Sequence, residues 1–402
     1  AQFKNDPLKV MAEFDAIFDN TWRVSGGIRY EDFKQVSLAT SSLIFDEQDL
    51  NNYENCYEEL KSKSLKFSMD SIKKDLKTLG IEHNNFISET DLVKEDFVNK
   101  TLHLLKKKNH VEEGFLDPPK GTDTKNWKKM KRLIFKSTKF GDDNDRALQK
   151  NDGSWTYFAN DIGYHNFKIS KKYDLLINIL GADHTGYIKR IKAAVEAISN
   201  GKTKLNCKVS QLVKLFKDGK PFKMSKRAGD FVTLNEFLNE VDRDAIRFMM
   251  LNRSSDVELE FDFAKVVEKT KENPIFYVQY ANARINSIFR SLKKNKDIKI
   301  HLSDGTLNFN EYEKKILRKS FEWPKIVENS SNKLEPHRIT FYLYELSTLF
   351  HSFWSKGNEE EKYRIIIDGK LNRSSSLLIL QLLSSVIRNG MQILGVSLPE
   401  KM

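Results

Sequence analysis

The stretch from Tyr173 to Val209 constrains the fold more than any other part of the sequence. It begins with the near-continuous apolar run YDLLINIL, which is typical of a β-strand with both faces buried. Gly181 follows, then apolar residues at helical spacing, and then a second strand pattern. This order predicts a right-handed crossover between parallel strands. The apolar positions are Ile188, Ile191, Val195 and Ile198 in the helix, and Leu205, Cys207 and Val209 in the second strand.

After Thr233 the patterns are helical only. Thr233 and Glu236 form a capping box in front of apolar positions. Asn273 followed by Pro274 predicts the start of another helix. Helical spacing then continues at Leu343, Leu346, Phe350 and Phe353, and at Ile379, Leu383, Val386 and Met391.

Two further local patterns complete the outline of the fold. Residues 64–80 predict an amphipathic helix that ends at Gly80, and Asp218-Gly219 predicts a hairpin turn. We expect an α/β fold followed by an all-α part, namely a partial Rossmann-type parallel sheet and a C-terminal helical bundle. The predicted boundaries are an unassigned segment 1–60, an α/β domain 61–232, a helical connection 233–272 and a helical domain 273–402.

Composition narrows the class of protein. The net charge of +11 favours a polyanionic partner such as nucleic acid, although a general lysine bias gives the same excess. The two cysteines, Cys56 and Cys207, are far apart and have no partner at metal-binding spacing. Their number argues against a disulfide framework and against a cysteine-rich zinc site, and it suits the reducing cytoplasm. We expect no signal peptide, and no membrane span because Leu377–Leu383 is far shorter than the roughly 20 apolar residues required.

The segment KMSKRAG, residues 223–229, follows the predicted hairpin. Lys223 and Lys226 lie three residues apart with Ser225 between them, so their ammonium groups could offset charge on a leaving pyrophosphate. Gly229 would give the loop freedom to close. A basic surface loop is the alternative, but the position between an α/β half and a helical half favours the phosphate site.

The segment GADHTGY, residues 181–187, lies at the carboxyl end of the first predicted parallel strand. Nucleotides bind at that edge of open α/β sheets. Asp183 could instead cap the following helix and have no other role.

Tyr157 and Asp161 are four residues apart, so a helix would place both on one face. A carboxylate can accept two parallel hydrogen bonds from a guanidinium group, and a tyrosine ring can stack beside it. The spacing is also common by chance.

Tyr277, Tyr280 and Arg284 share one face of the helix predicted to begin at Pro274. Aromatic rings and a guanidinium group on one face can stack on unpaired RNA bases. The alternative is a tyrosine stripe packed against a neighbouring helix. The opposite stripe of Val278, Ala281, Ile285 and Ile288 is expected to be core.

The lysine loop resembles that of class I aminoacyl-tRNA synthetases, and its flanks, DGKPFKMSKRAGDFVT at 218–233, resemble the arginyl family. The resemblance covers roughly residues 60–402. It implies that Lys226 stabilises the transition state of adenylate formation with support from Lys223 and Ser225. It further implies that Met224, Gly181, Asp183 and His184 contact ATP, and that Tyr157 and Asp161 recognise the arginine side chain.

The same resemblance implies the partners. Tyr277, Tyr280 and Arg284 would bind the tRNA anticodon, and Met402 would lie near it. The substrates would be arginine, tRNA(Arg) and ATP with Mg²⁺, with no tightly bound cofactor and no metal site. We expect a cytoplasmic monomer. The family's activation step generally requires bound tRNA.

The sequence departs from the family in one respect. Class I synthetases carry a second signature, HIGH, and none of the eight histidines lies in that pattern. We therefore expect an arginine–tRNA ligase that lacks its amino-terminal part and is weakly active or inactive. The alternative is a non-catalytic tRNA-binding module. Cysteinyl-tRNA synthetase has a related lysine loop, but two isolated cysteines cannot form its zinc site.

Overall fold

The computed structural model describes residues 53–116, 130–222, 234–294 and 308–402. These residues form two units. The α/β unit contains the described residues up to Ser62 and those of 83–212, and the helical unit contains residues 63–82 and the described part of 213–402. The predicted domain boundaries differ from this division in assigning residues 63–82 and 213–222 to the α/β part.

The predicted crossover is present in the α/β unit. Strand β4 (Leu175–Gly181) pairs in parallel with β5 (Lys204–Ser210), and Leu175 lies opposite Lys204. A 3₁₀ turn (Ala182–Tyr187) and helix α5 (Ile188–Ser199) connect the two strands. The parallel α/β fold is confirmed, with a 3₁₀ turn that the sequence did not predict.

The prediction that β4 is buried on both faces is wrong for the described part of the chain. Leu176 is 4% exposed, whereas Leu175, Ile177 and Ile179 on the other face are 40%, 44% and 75% exposed. Side chains alternate across a strand, so one face of β4 packs towards the helices and the described residues leave the other uncovered. An apolar run shows that both faces are hydrophobic, but it does not show what covers each face.

A three-stranded antiparallel sheet precedes this crossover in the sequence. Its order is β1 (Val111–Gly114), β2 (Arg132–Phe135) and β3 (Arg146–Ala147), and β2 contains the apolar residues 133–135. Phe135, Leu105, Leu148 and Ile162 are completely buried in the core of this unit. The remaining elements are α2 (Glu89–Lys94), α3 (Phe97–Lys107) and α4 (Tyr157–Ser170).

The second stretch of the helical unit begins with the predicted hairpin. Strands β6 (Val213–Lys217) and β7 (Lys220–Pro221) are antiparallel. Asp218 and Gly219 have φ angles of 53° and 73°, the left-handed values that a two-residue type I′ turn requires. Strand β8 (Leu259–Asp262) pairs in parallel with β6, and Asp262 accepts a hydrogen bond from the Gly219 N–H.

The rest of this unit is a helical bundle, as predicted. Leu343, Leu346, Phe350 and Phe353 are all 0% exposed, because their helical spacing forms one buried stripe. The helices are α6 (Leu234–Glu240), α7 (Arg243–Leu251), α8 (Phe263–Val267), α9 (Pro274–Lys294), α10 (Glu311–Phe321), α11 (Trp323–Lys333), α12 (His337–Glu359) and α13 (Ser374–Leu394), with a two-stranded ribbon of β9 (Ile366–Ile367) and β10 (Lys370–Leu371).

The helix predicted at 64–80 is the second part of α1 (Tyr53–Thr78), and it ends as predicted before Gly80, whose φ is 68°. Arg247 of α7 donates hydrogen bonds to the Leu79 and Gly80 carbonyl oxygens and to that of Leu394. One guanidinium group therefore satisfies the two carbonyl groups that directly follow α1 and the last carbonyl group of α13.

Helix α13 is the one described helix that is long and apolar enough to cross a membrane by length and composition. The core helix of a folded domain can have the same length and composition, and 56% of the apolar stretch of α13 is buried. Leu383 and Ile387 lie in the core of the helical unit with 0% exposure. The absence of a membrane partner remains a prediction.

Candidate active site and RNA-binding face

The lysine loop, with Lys223, Met224, Ser225 and Lys226, lies outside the described residues, and so does Thr233 of the predicted capping box. Its two flanks are described. On one side, the hairpin closes with the Phe222 N–H donating to the Leu215 carbonyl oxygen at 2.8 Å. On the other side, α6 begins at Leu234, the position that follows the predicted cap.

Tyr157 and Asp161 lie on one face at the start of α4, as their spacing predicts. The helix begins here because the Thr156 hydroxyl accepts a hydrogen bond from the Ala159 N–H, so Thr156 is the N-cap. The Tyr157 side chain is 42% exposed, and the Lys150 ammonium group lies 5.4 Å from its ring centroid. Tyr157 is thus partly exposed while its ring contacts Lys150.

A third residue at this site, Tyr187, was not selected from the sequence. Its hydroxyl group donates a hydrogen bond to Asp161 Oδ2. The Tyr187 ring meets the Phe158 ring edge to face, with centroids 6.0 Å apart, and the Arg190 guanidinium carbon lies 5.2 Å from its centroid. Its position as the last residue of GADHTGY was visible, but its contact with α4 was not.

Behind Asp161, a chain of hydrogen bonds joins α4 to β4. Lys168 Nζ donates to Asn178 Oδ1 at 2.9 Å, Asn178 Nδ2 lies 2.9 Å from His165 Nε2, and His165 Nδ1 lies 2.7 Å from the Asp161 carbonyl oxygen. The Asn178 amide must donate to Nε2, so the histidine is neutral with its proton on Nδ1. Burial lowers the pKa of His165 to about 4 and that of Lys168 to about 8.

Gly181, Asp183 and His184 lie in the turn between β4 and α5, at the carboxyl end of the parallel strand. His184 Nε2 is 3.4 Å from Asp183 Oδ2, and the Asp183 side chain is 79% exposed. A Cβ atom on Gly181 would lie 2.5 Å from Asp183 Oδ1, so the glycine leaves room for that carboxylate. Neither the 3₁₀ turn nor α5 has a side-chain cap, which contradicts the alternative that Asp183 is only a helix cap.

The two stripes predicted on the helix after Pro274 are present on α9. Val278, Ala281, Ile285 and Ile288 are between 0% and 2% exposed, which confirms the core stripe. Tyr277, Tyr280 and Arg284 are half-buried on another face.

These three side chains form a cluster with His351 and Trp354 of α12. Arg284 donates to the Tyr280 hydroxyl at 2.8 Å, and its guanidinium carbon lies 4.3 Å from the Tyr280 ring centroid and 5.3 Å from that of Trp354. His351 lies 4.2 Å from Tyr277, centroid to centroid. The alternative of packing against a neighbouring helix is therefore correct in part, since one edge of the stripe contacts α12 while the side chains remain partly exposed. The partners on α12 were not identified from the sequence.

The last residues of the chain run alongside α9. Gln279, Asn282 and Arg290 donate hydrogen bonds to the carbonyl oxygens of residues 397, 399 and 400, at 3.2, 2.9 and 3.0 Å. Asp244 accepts from the N–H and the hydroxyl of Ser397. Met402 ends this tail with 56% of its surface exposed.

Among the described residues, no group of three or more His, Cys, Asp or Glu side chains could hold a metal ion.

Two family models match the chain. The model "tRNA synthetases class I (R), catalytic domain" matches residues 46–290, and the model "DALR anticodon binding domain" matches residues 278–402. The first model covers more than half of the chain, so the chain is of the class I aminoacyl-tRNA synthetase type. Within that class, the chain belongs to the arginyl-tRNA synthetase family.

Individual relatives agree with this family. The chain is 52% identical over 369 residues to a protein from Pelagibacter ubique named arginine–tRNA ligase, a match that covers 92% of the chain and 63% of the relative. It resembles the structure of a Campylobacter jejuni protein assigned as an arginyl-tRNA synthetase, with 28% identity and a TM-score of 0.71 over 92% of this chain and 74% of that one. The fold is also that of Thermus thermophilus arginyl-tRNA synthetase, with 18% identity and a TM-score of 0.63 over 89% and 67%. The chain thus spans less than two thirds of the length of the Pelagibacter protein.

Proposed function

We propose that the chain carries the arginine-binding and tRNA-binding parts of an arginine–tRNA ligase. The observation that carries the proposal is the match of both family models together with the 52% identity to a protein of that name. The match of the catalytic model across the lysine loop disfavours a non-catalytic tRNA-binding module. The proposal includes the earlier predictions of a cytoplasmic monomer without a membrane partner.

In the proposed reaction, a carboxylate oxygen of arginine attacks the α-phosphorus of ATP, and pyrophosphate leaves with the electrons of the broken P–O bond. A terminal ribose hydroxyl of tRNA(Arg) then attacks the carbonyl carbon of the arginyl adenylate, loses its proton, and displaces AMP. Positioning and charge stabilisation supply the acceleration, so no side-chain nucleophile is required.

We assign roles to the candidate residues within this proposal. Lys226, with Lys223 and Ser225, would stabilise the charge on the leaving pyrophosphate, and Mg²⁺ bound to the triphosphate would offset the rest. Met224, Gly181, Asp183 and His184 would contact ATP. Their support is the position of residues 181–184 at the carboxyl end of β4, where open α/β sheets bind nucleotides.

Tyr157 and Asp161 would bind the arginine side chain. Support comes from their shared face on α4 and from the exposed ring of Tyr157. A guanidinium group can donate two parallel hydrogen bonds to the Asp161 carboxylate while its flat face lies against the tyrosine ring.

Tyr277, Tyr280 and Arg284 would bind the anticodon, with Met402 beside them. Support comes from the partly exposed aromatic cluster on α9 and from the hydrogen bonds that hold the tail along the same helix. Tyrosine rings and a guanidinium plane are the groups on which unpaired bases stack.

Isothermal titration calorimetry with arginine tests the amino-acid site. We expect arginine to bind the wild-type chain more tightly than lysine, and Asp161→Asn to weaken arginine binding by about tenfold or more, because a charged partner of the guanidinium is removed. Lys172→Gln, a change at an exposed position after the same helix, is the control. Equal affinity of the wild type and Asp161→Asn for arginine would contradict the assignment.

A further inference from the structure

Asp161 and Tyr187 are 26 residues apart in sequence and meet through a hydrogen bond in which Tyr187 is the donor. Asp161 lies on α4, whereas Tyr187 ends the 3₁₀ turn that follows β4. The contact therefore joins the candidate arginine-binding helix to the candidate ATP-binding turn.

The Tyr187 ring is itself held on two sides. The Phe158 ring contacts the Tyr187 ring at an interplanar angle of 90°, and Phe158 is a core residue with only 6% of its surface exposed. The Arg190 guanidinium group lies on the ring at 5.2 Å. A ring fixed between a core phenylalanine and a cation presents its hydroxyl group at a defined position.

This geometry matters because an aspartate carboxylate has little rotational preference of its own. Its terminal torsion is broad and roughly two-fold, so the plane of the two oxygens is set by its hydrogen bonds. A guanidinium group binds in that plane through two parallel N–H donors. A lysine ammonium group is a compact point charge and needs no particular plane.

We propose that Tyr187 is a positioning residue that fixes the plane of the Asp161 carboxylate and thereby favours a guanidinium over an ammonium side chain. The inference rests on the proposed arginine-binding role of Asp161 and adds a source of its specificity. Tyr187 acts through Asp161 and need not touch the amino acid.

The test is calorimetric titration of the chain with arginine and with lysine. Tyr187→Phe removes only the hydroxyl group and keeps the ring against Phe158. We expect it to weaken arginine binding by about tenfold, the effect of losing one hydrogen bond to a charged group, and to change lysine binding much less. Tyr173→Phe is the matched control, because Tyr173 is 55% exposed in the same unit, and it should change neither affinity.

A double-mutant cycle checks that Tyr187 works through Asp161. In an Asp161→Asn background, Tyr187→Phe should have no further effect on arginine binding, because the carboxylate it orients is gone. Arg190→Gln keeps the hydroxyl group but loosens the ring, so it should lower arginine affinity in the same direction by a smaller factor. This second variant preserves the test should Tyr187→Phe fail to give a cooperative thermal melt.

The outcomes separate the two proposals. Three results would overturn the positioning role while leaving the arginine site in place. The first is an equal loss of affinity for arginine and for lysine, and the second is that the effects of Tyr187→Phe and Asp161→Asn on arginine binding add. The third is tighter arginine binding by Tyr187→Phe. A wild-type chain that binds lysine as well as arginine would instead overturn the proposed function, and the inference with it.

Discussion

His165 is expected to make the α/β unit sensitive to acid. It is 4% exposed, and its Nε2 atom accepts from Asn178, whose amide is oriented by Lys168. A second proton on Nε2 would point at the amide N–H of Asn178, which is itself a donor, and the new positive charge would lie near the Lys168 ammonium group. Both contacts disfavour the protonated imidazole. Burial, followed by the Lys168 charge, lowers the pKa of His165 to about 4, below the 6.5 of an ordinary imidazole.

The sign and size of the effect follow from proton binding. Between pH 6.5 and pH 4 the unfolded chain binds a proton at this position that the folded chain does not, so the free energy of unfolding falls as the pH is lowered. The loss begins near pH 6.5 and levels off below about pH 4. At about 1.4 kcal/mol per tenfold difference in proton affinity, it amounts to about 3 kcal/mol in total. That is a large part of the 5–15 kcal/mol typical of a domain.

The assay is urea unfolding followed by circular dichroism from pH 7 to pH 4.5. His165→Asn removes the titrating group, so the free energy of unfolding of this variant should depend less on pH than that of the wild type. His103→Asn, at an exposed position on α3, is the control and should follow the wild type. Burial raises the pKa of Asp142, but the hydrogen bonds it accepts, those from Arg146 first, lower it overall below the ordinary value of 3.8. The stability that Asp142 contributes is therefore lost only at a pH below the range of this assay. Parallel curves for wild type and His165→Asn would refute the reasoning.

Two further changes test the helical unit. Gly390→Ala should lower the free energy of unfolding by about 1–3 kcal/mol, because the new Cβ atom would lie 2.8 Å from a methyl group of Leu343, and overpacking outweighs the better helix propensity of alanine. Urea unfolding measures it, and an unchanged or raised stability would contradict the close packing. Asn282→Ala removes the hydrogen bond to the Pro399 carbonyl oxygen, so hydrogen exchange in the last six residues should speed up severalfold, whereas equal protection would show that the tail is held elsewhere.

Regular elements could be predicted from the sequence where the spacing of apolar residues both suits the element and matches the face that is buried in the fold. The stripe from Leu343 to Phe353 is buried because helical spacing places those side chains on one face, and nothing in its surroundings conflicts with that pattern. The Asp218-Gly219 turn was predictable for a local reason, since both residues must adopt positive φ angles.

Contacts between distant elements could not be predicted in this way. Tyr187 reaches Asp161 only after β4 and α4 have packed, and no periodicity encodes a hydrogen bond across 26 residues. The cluster of Arg284 with His351 and Trp354 likewise depends on how α9 lies against α12. The exposure of Ile179 could not be predicted, because the sequence pattern of an apolar strand is the same whether or not its second face is covered.

The most direct test of the account is a titration of the chain with tRNA(Arg) and with the same tRNA carrying a changed middle anticodon base, at two salt concentrations. We expect the base change to lower affinity at both salts. Tyr280→Ala should weaken binding of the unchanged tRNA by about tenfold, the loss of one stacked base, whereas Phe321→Ala, at an aromatic position that is 73% exposed on α10, should not. Equal and steeply salt-dependent binding of both tRNAs, unaffected by either substitution, would mean attraction between charges alone and would contradict the proposed anticodon face.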